Sequence, residues 1–145
     1  KIMVEIDMAD PMETKELTIN SSVENLIYVE KEIEFFFDKL HFPEDHFGNV
    51  LIAVTEAFNN AVRYGNNEDV TKLVNIGFKP LKDKLVVTIK DEGEGFDYDS
   101  LPDPTDPENL EKLQGRGIYL MKHLSDSISF SENGSKIELV FNLNN

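Results

Sequence analysis

Cysteine is absent from the sequence, which excludes disulfide bonds, zinc–thiolate sites and thiol catalysis. Long apolar runs are absent too: no stretch approaches the roughly 18 apolar residues of a membrane-spanning helix, and no segment resembles the apolar core of a secretory leader. The three histidines, His41, His46 and His123, are too widely spaced along the chain to predict a metal site. We therefore expect a cytoplasmic protein without membrane contacts. Because the first residue is Lys1 and not Met, we expect the sequence to begin downstream of a natural start.

Basic residues are scarce in this chain. Lys and Arg total 14 against 28 Asp and Glu, so the formal net charge is −14. Nucleic acids are bound through basic surfaces that displace counterions, so direct binding of DNA or RNA is not expected. The length of 145 residues and the hydrophobic fraction of 40% are those of one packed domain.

The pattern of apolar residues predicts five strands and three helices. Residues 1–14 show no clear pattern and are expected to form an N-terminal tail or an edge strand. The predicted strands are Lys15–Asn20, Lys72–Phe78, Lys84–Lys90, Ser127–Ser131 and Lys136–Leu143, the last two joined by a hairpin at Asn133-Gly134. The first helix is predicted to follow a capping box at Ser21–Glu24 with Ser21 as N-cap, the second to run from about Pro43 to Tyr64, and the third to begin near Gly117. This order indicates an α+β fold, a two-layer sandwich of about three helices on a mostly antiparallel mixed sheet.

The second predicted helix contains the segment LIAVTEAFNNAVRYGN, residues 51–66, in which four polar residues interrupt an apolar pattern. At about 100° per residue, Asn59, Asn60 and Arg63 lie within about 60° of Glu56 and form one polar stripe. One interpretation is a solvent-exposed face with an ordinary i,i+4 contact between Glu56 and Asn60. The other is a site in which a carboxylate base lies beside an amide oxygen that binds a hard cation such as Mg²⁺. The spacing alone does not choose between them.

The segment DEGEGF, Asp91–Phe96, directly follows an apolar strand. It is compatible with a tight turn in which Gly93 and Gly95 take positive φ. Alternatively, Asp91 at the strand end accepts a hydrogen bond from an amine such as adenine N6, and the glycines let a flat base approach the backbone. The segment is not a Rossmann fingerprint, and the chain has no G-x-x-x-x-G-K-[ST] phosphate loop.

A long irregular segment, Asp97–Gln114, separates this turn from the sequence GRG at residues 115–117. Connections longer than about 12–15 residues are uncommon unless they are functional or disordered. Gly115 and Gly117 are predicted to open a helix whose N-terminus can bind an anion, and Lys112 and Arg116 add positive charge there. A simple flexible connector is the alternative.

The order of EAFNN (residues 56–60), DEGEG (residues 91–95) and GRG, with a proline-rich loop before the last, strongly resembles the GHKL ATP-binding superfamily with its Bergerat fold. The resemblance implies one ATP-binding kinase domain over residues 15–145, with an ATP lid at about 97–114. Within the superfamily, PDPTDPENLEKLQGRGIYLMKHLSDSISF is most similar to the small anti-sigma-factor serine/threonine kinases.

The resemblance also implies residue roles. Glu56 corresponds to the general base, Asn60 to the Mg²⁺ ligand and Asp91 to the residue that binds adenine. The remaining implied nucleotide contacts are Gly93 and Gly95 at the base, Ser135 at adenine through water, and Lys112, Gly115, Arg116 and Gly117 at the phosphates.

The implied activity is phosphorylation of a serine or threonine on a STAS-type anti-anti-sigma protein with Mg-ATP, by a protein that also binds a sigma factor and forms a homodimer. Two alternatives remain: a nucleotide-binding module that sequesters its partner without significant kinase activity, and a detached histidine-kinase catalytic domain. Tyr64 and Tyr28 replace residues that relatives commonly carry, which leaves the partner's identity open. The roles of Asn59 and Arg63 are open as well.

Overall fold

The computed structural model describes residues 12–95 and 113–144. Its five strands are β1 (Lys15–Asn20), β2 (Leu73–Leu81), β3 (Lys84–Lys90), β4 (Ser127–Ser131) and β5 (Lys136–Asn142). Its three α-helices are α1 (Leu26–Lys39), α2 (Phe47–Asn60) and α3 (Leu113–Leu124). In the described part of the chain, no helix has the length and apolarity required to cross a membrane. The helices and strands predicted from the sequence are all present, and the α+β class is confirmed.

The strands form one sheet in the order β1-β2-β3-β5-β4. Each described pairing is antiparallel, so no parallel pair of the expected mixed sheet occurs among these residues. Strand β2 continues to Leu81, three residues beyond its predicted end at Phe78, and so includes Pro80. Strand β1 ends opposite Phe78, whereas β3 continues alongside β2 past Pro80. Among the described residues, Pro80 therefore has a neighbouring strand on one side only, as at a sheet edge, where proline is tolerated.

The core lies between one face of the sheet and the helices. Alternate residues of the three central strands are buried: Val74, Ile76, Phe78, Leu85, Val87, Ile89, Ile137, Leu139 and Phe141. The helices contribute the facing residues, which include Val29, Ile33, Phe36, Val54, Phe58, Ile118 and Met121. Because side chains alternate along a strand, the opposite sheet face stays polar or exposed, and the architecture has two layers.

The start of α1 differs from the predicted capping box. Ser22, and not Ser21, caps the chain, accepting the Glu24 N–H at 3.4 Å on its side-chain oxygen. Ser21 is buried because its N–H donates to the Lys72 carbonyl at 3.0 Å and its hydroxyl oxygen accepts from Asn66 at 2.6 Å. A short 3₁₀ turn at Val23–Asn25 then precedes α1, which places Val23 outside the apolar face of the helix, 41% exposed. Val23 therefore does not belong to the core.

The run Phe35-Phe36-Phe37 in α1 forms one buried face with one partly covered ring. Phe36 and Phe37 are buried, and the Phe36 ring lies 5.7 Å from that of Phe78 in β2. Phe35 is only half-buried, and the Lys15 ammonium lies 3.7 Å from its ring centroid. The run thus anchors α1 to the sheet through Phe36.

Substitution of Phe36 tests this anchoring. We expect Phe36→Ala to lower the free energy of unfolding by about 3–5 kcal/mol, because it removes a fully buried ring and leaves a cavity. The neighbouring Phe35→Ala is the matched control and is expected to cost less than half as much, since its ring is partly exposed. Urea denaturation followed by circular dichroism measures both, and equal losses would contradict the assignment of Phe36 as the anchor.

Candidate functional site

A cavity of about 330 Å³ opens between α2 and α3. Both helices contribute polar or charged side chains to it. The lining residues are Glu56, Asn59, Asn60, Arg63, Tyr64, Gln114, Arg116, Gly117 and Leu120. The four members of the polar stripe therefore face one cavity, as the helical projection predicts, while the apolar side of α2 packs into the core.

Two amide groups of the stripe have unpaired oxygens. Asn60 is only 6% exposed, and among the described residues no donor reaches its Oδ1 or the buried Oδ1 of Asn59. A buried acceptor without a partner is costly, so unpaired amide oxygens on two residues that line a cavity indicate a ligand. Amide oxygens suit hard cations such as Mg²⁺, which takes few protein ligands. No cluster of three or more His, Asp or Glu able to hold a metal occurs in the described residues.

Glycine at position 117 allows α3 to approach the Glu56 carboxylate. A Cβ added at Gly117 would lie 3.1 Å from Glu56 Oε2, closer than ordinary van der Waals contact. The carboxylate therefore lies between the two helices, at the cavity, where a larger residue on α3 would crowd it.

The guanidinium groups of the chain are concentrated at this cavity. Arg63 and Arg116 are the only arginines in the sequence, and both line it. Within the described ranges neither guanidinium has a carboxylate at ion-pairing distance. In a chain with a net charge of −14, two unpaired arginines beside one cavity favour an anionic ligand.

Beyond Asn60 the helix widens into a π-helical turn, Ala61–Gly65. The Asn66 N–H donates to the Ala61 carbonyl at 2.8 Å, which closes this wider turn. Such turns are rare and occur often at functional sites. The turn brings Gly65 against the Asp91 side chain, and the Gly65 carbonyl against Gly93, so closely that neither glycine has room for a Cβ.

Asp91 lies at the end of β3, next to this turn. It is 6% exposed, its N–H donates to the Ser135 carbonyl at 3.0 Å, and its Oδ1 accepts the Gly93 N–H at 2.7 Å. Burial raises the pKa of the Asp91 carboxyl above its ordinary value of 3.8, although the Gly93 N–H and the charge of Lys72 act in the opposite direction. Oδ2 receives no described hydrogen bond and is available to an amine donor.

The glycine-rich segment after Asp91 is bent, but the positive φ expected at Gly93 is wrong, because of its two glycines Gly95 alone has a positive φ. Gly95 has φ of 86° and lies so close to the Asn133 carbonyl that a Cβ would clash. The Ser135 hydroxyl donates to the Glu132 carbonyl at 2.8 Å, and its backbone carbonyl accepts from Asp91. Gly95 and Ser135 therefore lie beside Asp91 at the ends of β3 and β5.

Comparison with known proteins identifies the family. The sequence model of a family described as the histidine kinase-like ATPase domain matches residues 19–141. The chain belongs to this family. The match covers both the polar stripe on α2 and the Asp91 turn, so the two features lie within the domain that this family shares.

Individual relatives agree with this family assignment. The chain is 30% identical to the serine-protein kinase RsbW of Staphylococcus aureus strain JH9, over 86% of this chain and 83% of the relative. It is 29% identical to the RsbW of the bovine strain RF122 / ET3-1, with the same coverage. The solved structure of the RsbU and RsbW domains of Rv1364c from Mycobacterium tuberculosis has a TM-score of 0.63 at 14% identity, over 90% of this chain and 32% of that chain. The chain thus spans about a third of that solved chain, and this last likeness supports the fold alone.

The histidine kinase-like ATPase fold brings the predicted site residues together in two adjacent groups. Of these residues, Glu56, Asn60, Arg116 and Gly117 line the cavity between α2 and α3. A second group surrounds Asp91 and consists of Gly93, Gly95 and Ser135. Tyr64 in the cavity and Gly65 against Asp91 are consecutive, so the two groups meet at the π-helical turn. Gly115 lies in α3 but does not line the cavity, and Lys112, most of the predicted lid and residues 1–11 lie outside the described residues.

The start of α3 differs from the expectation. The helix already includes Leu113, so Gly117 is its fifth residue and not its first. The free N–H groups of a helix are confined to its first turn, so the Gly117 N–H is not one of them. Leu113, Gln114 and Arg116 are good helix formers. Burial of Ile118 and Met121 also holds the helix against the core. Together these contributions outweigh the low helix propensity of the two glycines.

Several residues of the site were not singled out from the sequence. Gln114 and Leu120 line the cavity, and both lie three residues from Gly117, so a helical projection of α3 centred on Gly117 would have found them. Asn66 is fully buried beside the Asp91 turn, but an asparagine after a helix-ending glycine is ordinary in a sequence and gave no signal.

The raised pKa of Asp91 predicts a pH-dependent stability difference. The folded state favours the protonated Asp91 carboxyl, so the free energy of unfolding falls as pH rises from 3.8 through the folded-state pKa. At neutral pH the carboxylate is charged, and the whole of this loss of stability is present. We expect Asp91→Asn, without ligand, to be at least as stable as the wild type at pH 7, with the difference disappearing below pH 3.8.

Asp69→Asn provides a control of opposite sign. Hydrogen bonds from Thr71 lower the pKa of the exposed Asp69 carboxyl, so its contribution to stability is present above the ordinary pKa and is lost as pH falls. Chemical denaturation of the three proteins from pH 3 to pH 8 measures these trends. Loss of stability at pH 7 in Asp91→Asn would show that the Asp91 charge stabilises the fold and would contradict the prediction.

Proposed function

We propose that the protein is an anti-sigma regulatory factor with Mg-ATP-dependent serine/threonine-protein kinase activity toward a STAS-type anti-anti-sigma partner. The proposal depends on one observation. The Glu56 carboxylate and the Asn60 amide oxygen, which has no hydrogen-bond partner among the described residues, lie one helical turn apart on residues that line the same cavity as Arg63 and Arg116. The similarity to serine-protein kinases named RsbW supports the choice of hydroxyl phosphorylation over other reactions of ATP. The resemblance to anti-sigma kinases supports the regulatory role.

The base of ATP binds at Asp91 in this proposal. Asp91 accepts a hydrogen bond from the adenine N6 amino group on its free oxygen, and Gly93 and Gly95, which let the turn pack against the Gly65 and Asn133 carbonyls, complete the base pocket. Ser135 lies beside Asp91 and contributes through a water molecule. A buried carboxylate of this kind discriminates strongly between adenine and a base that lacks the amino group, because the second base leaves the carboxylate without a hydrogen-bond partner.

The phosphates extend from this pocket toward the cavity between α2 and α3. Arg116 and Gly117, which line the cavity, face them, and the guanidinium offers paired donors to phosphate oxygens. The phosphate contacts of Lys112 and Gly115 are proposed from the family resemblance alone. Asn60 Oδ1 fits Mg²⁺ as a single protein ligand, and the bound ion would neutralise charge on the phosphates. Together these groups hold the γ-phosphoryl group in a fixed orientation, which is most of what phosphoryl transfer requires.

Glu56 acts on the serine or threonine hydroxyl of the partner. It orients the hydroxyl and receives its proton at a carboxylate oxygen as the hydroxyl oxygen bonds to the γ-phosphorus. The bond between the γ-phosphorus and the bridging oxygen breaks, and ADP leaves. Gly117 keeps α3 from displacing the carboxylate from this position. A positioned base of this kind typically accounts for about 10²–10⁴-fold of the rate.

The partners follow from the same proposal. The STAS-type protein supplies the hydroxyl, and a sigma factor binds when that protein is absent. The protein acts as a cytoplasmic homodimer. A nucleotide-binding module that sequesters its partner without transfer is the second candidate, and the exposed apolar side chains of Val23, Ile27 and Tyr28 near the start of α1 favour a protein-binding surface in either case.

Transfer of label separates the two candidates. Incubation with γ-labelled ATP and STAS proteins encoded near the gene is expected to label a serine or threonine on one of them. Glu56→Ala is expected to reduce the transfer rate by about 10²–10⁴-fold while ATP binding, measured by calorimetry, stays within a few-fold of the wild type. Binding without transfer to any STAS protein would favour the sequestering module, and normal transfer by Glu56→Ala would exclude Glu56 as the base.

Gly117→Ala tests whether the spacing of α3 from Glu56 matters to catalysis. Alanine is favoured over glycine in a helix by about 1 kcal/mol, so stability should hold or rise, but its Cβ would displace the carboxylate and lower the transfer rate about tenfold. Gly48→Ala in α2 is the matched control, because nothing lies within 4 Å of the added Cβ. It should gain similar helix stability with unchanged transfer. Equal transfer rates in the two variants would contradict a positional role for Gly117.

A further inference from the structure

Asn66 is a fully buried asparagine outside the cavity, and its side chain is completely hydrogen-bonded. Its Nδ2 donates to the Ser21 hydroxyl oxygen at 2.6 Å and to the Leu73 carbonyl at 3.0 Å. Its Oδ1 accepts the Glu92 N–H at 2.8 Å. One side chain therefore connects the end of α2, the end of β1, the start of β2 and the turn that carries Asp91.

The bond to Glu92 completes a set of three. The Asp91 N–H donates to the Ser135 carbonyl at 3.0 Å, and the Gly93 N–H donates to the Asp91 carboxylate at 2.7 Å. With the Glu92 N–H bound by Asn66, three consecutive amides of the turn have fixed partners. Of the three acceptors, the Ser135 carbonyl belongs to the backbone and the Asp91 carboxylate belongs to the turn itself. Asn66 is the acceptor side chain that comes from a distant part of the sequence.

We infer that Asn66 is a positioning residue that orients the Asp91 carboxylate toward the N6 amino group of the nucleotide. The inference rests on the proposed ATP-binding function and deepens it. Without Asn66 the Glu92 N–H loses its partner, the peptide that follows Asp91 can rotate, and the carboxylate loses its fixed direction against Gly65. We expect the loss to affect recognition of the base, because none of the described hydrogen bonds of Asn66 goes to a phosphate-binding residue on α2 or α3.

The other two bonds of Asn66 have a different consequence. Those to Ser21 and Leu73 tie β1 and β2 to the end of α2, which contributes to folding and not to the orientation of Asp91. Ser21→Ala removes the acceptor at 2.6 Å and leaves the bond to Glu92 in place. It is therefore a control for loss of stability within the same hydrogen-bonded group.

The experiment compares ATP with purine riboside 5′-triphosphate, which carries hydrogen in place of the N6 amino group. Dissociation constants are measured by calorimetry at 10 °C with Mg²⁺, after circular dichroism has shown each protein to be folded. We expect the wild type to prefer ATP by roughly 10- to 100-fold, the value of a hydrogen bond to a charged group. Asn66→Ala should lose about tenfold of this preference through weaker ATP binding, with affinity for the analogue unchanged. Ser21→Ala should retain the preference while melting at a lower temperature.

The outcomes distinguish this inference from the proposed function. If the wild type binds neither nucleotide, the proposed function is overturned and the inference with it. If Asp91→Asn loses the preference and Asn66→Ala keeps it, or if Asn66→Ala weakens both ligands equally, the inference alone is overturned. Asn66→Ser, whose short side chain leaves room for water, replaces Asn66→Ala if the latter does not fold. Independently of any variant, amide exchange at Glu92 must be slow in the wild type, and rapid exchange there would overturn the inference.

Discussion

The contact of the Gly65 backbone with Asp91 is the constraint on which the arrangement of the site depends. It exists because α2 ends in a π-helical turn, which carries the chain away from the helix axis and onto the end of β3. A side chain at Gly65 or at Gly93 would separate the two segments. Their close approach makes the polar cavity and the buried carboxylate neighbours, although they belong to different layers of the fold.

Helix α2 serves the core and the site at the same time. Val54, Ala57 and Phe58 are buried on the side that packs against the sheet, while Glu56 and Asn60 face α3 across the cavity. Burial of the apolar side holds the helix rigidly, so the polar side chains need no flexible loop to place them. The unpaired oxygens of Asn59 and Asn60 cost stability in the absence of a ligand, and the apolar face compensates for that cost. A site of this kind is preorganised at the expense of the free energy of folding.

Most of the fold could be predicted from the sequence because its periodicities are strong. Strands β1, β3 and β4 have the predicted bounds, and the polar stripe faces a single cavity. The wrong predictions concern residues at which a local sequence pattern favours one structure and a tertiary contact stabilises another. Ser21 looks like an N-cap, but its hydroxyl oxygen binds Asn66, a residue 45 positions away that no local pattern can identify. Gly117 looks like a helix start, yet packing of Ile118 and Met121 extends α3 past both glycines. The contact of Gly65 with Asp91 has the same origin, since it pairs segments that only the folded sheet brings together.

The distribution of charge explains how so acidic a chain can accept the polyanion proposed as its ligand. With a net charge of −14, the field far from the protein repels nucleotides. At physiological ionic strength that repulsion is screened over about 8 Å. Inside the cavity the nearest charges decide, and interactions at about 4 Å are several-fold stronger near a protein surface than in bulk water. Arg63 and Arg116 lie there without described carboxylate partners, so their charge is not neutralised in advance. The scarcity of arginine elsewhere therefore strengthens the selectivity of this cavity, because no other part of the chain offers a guanidinium to a phosphate.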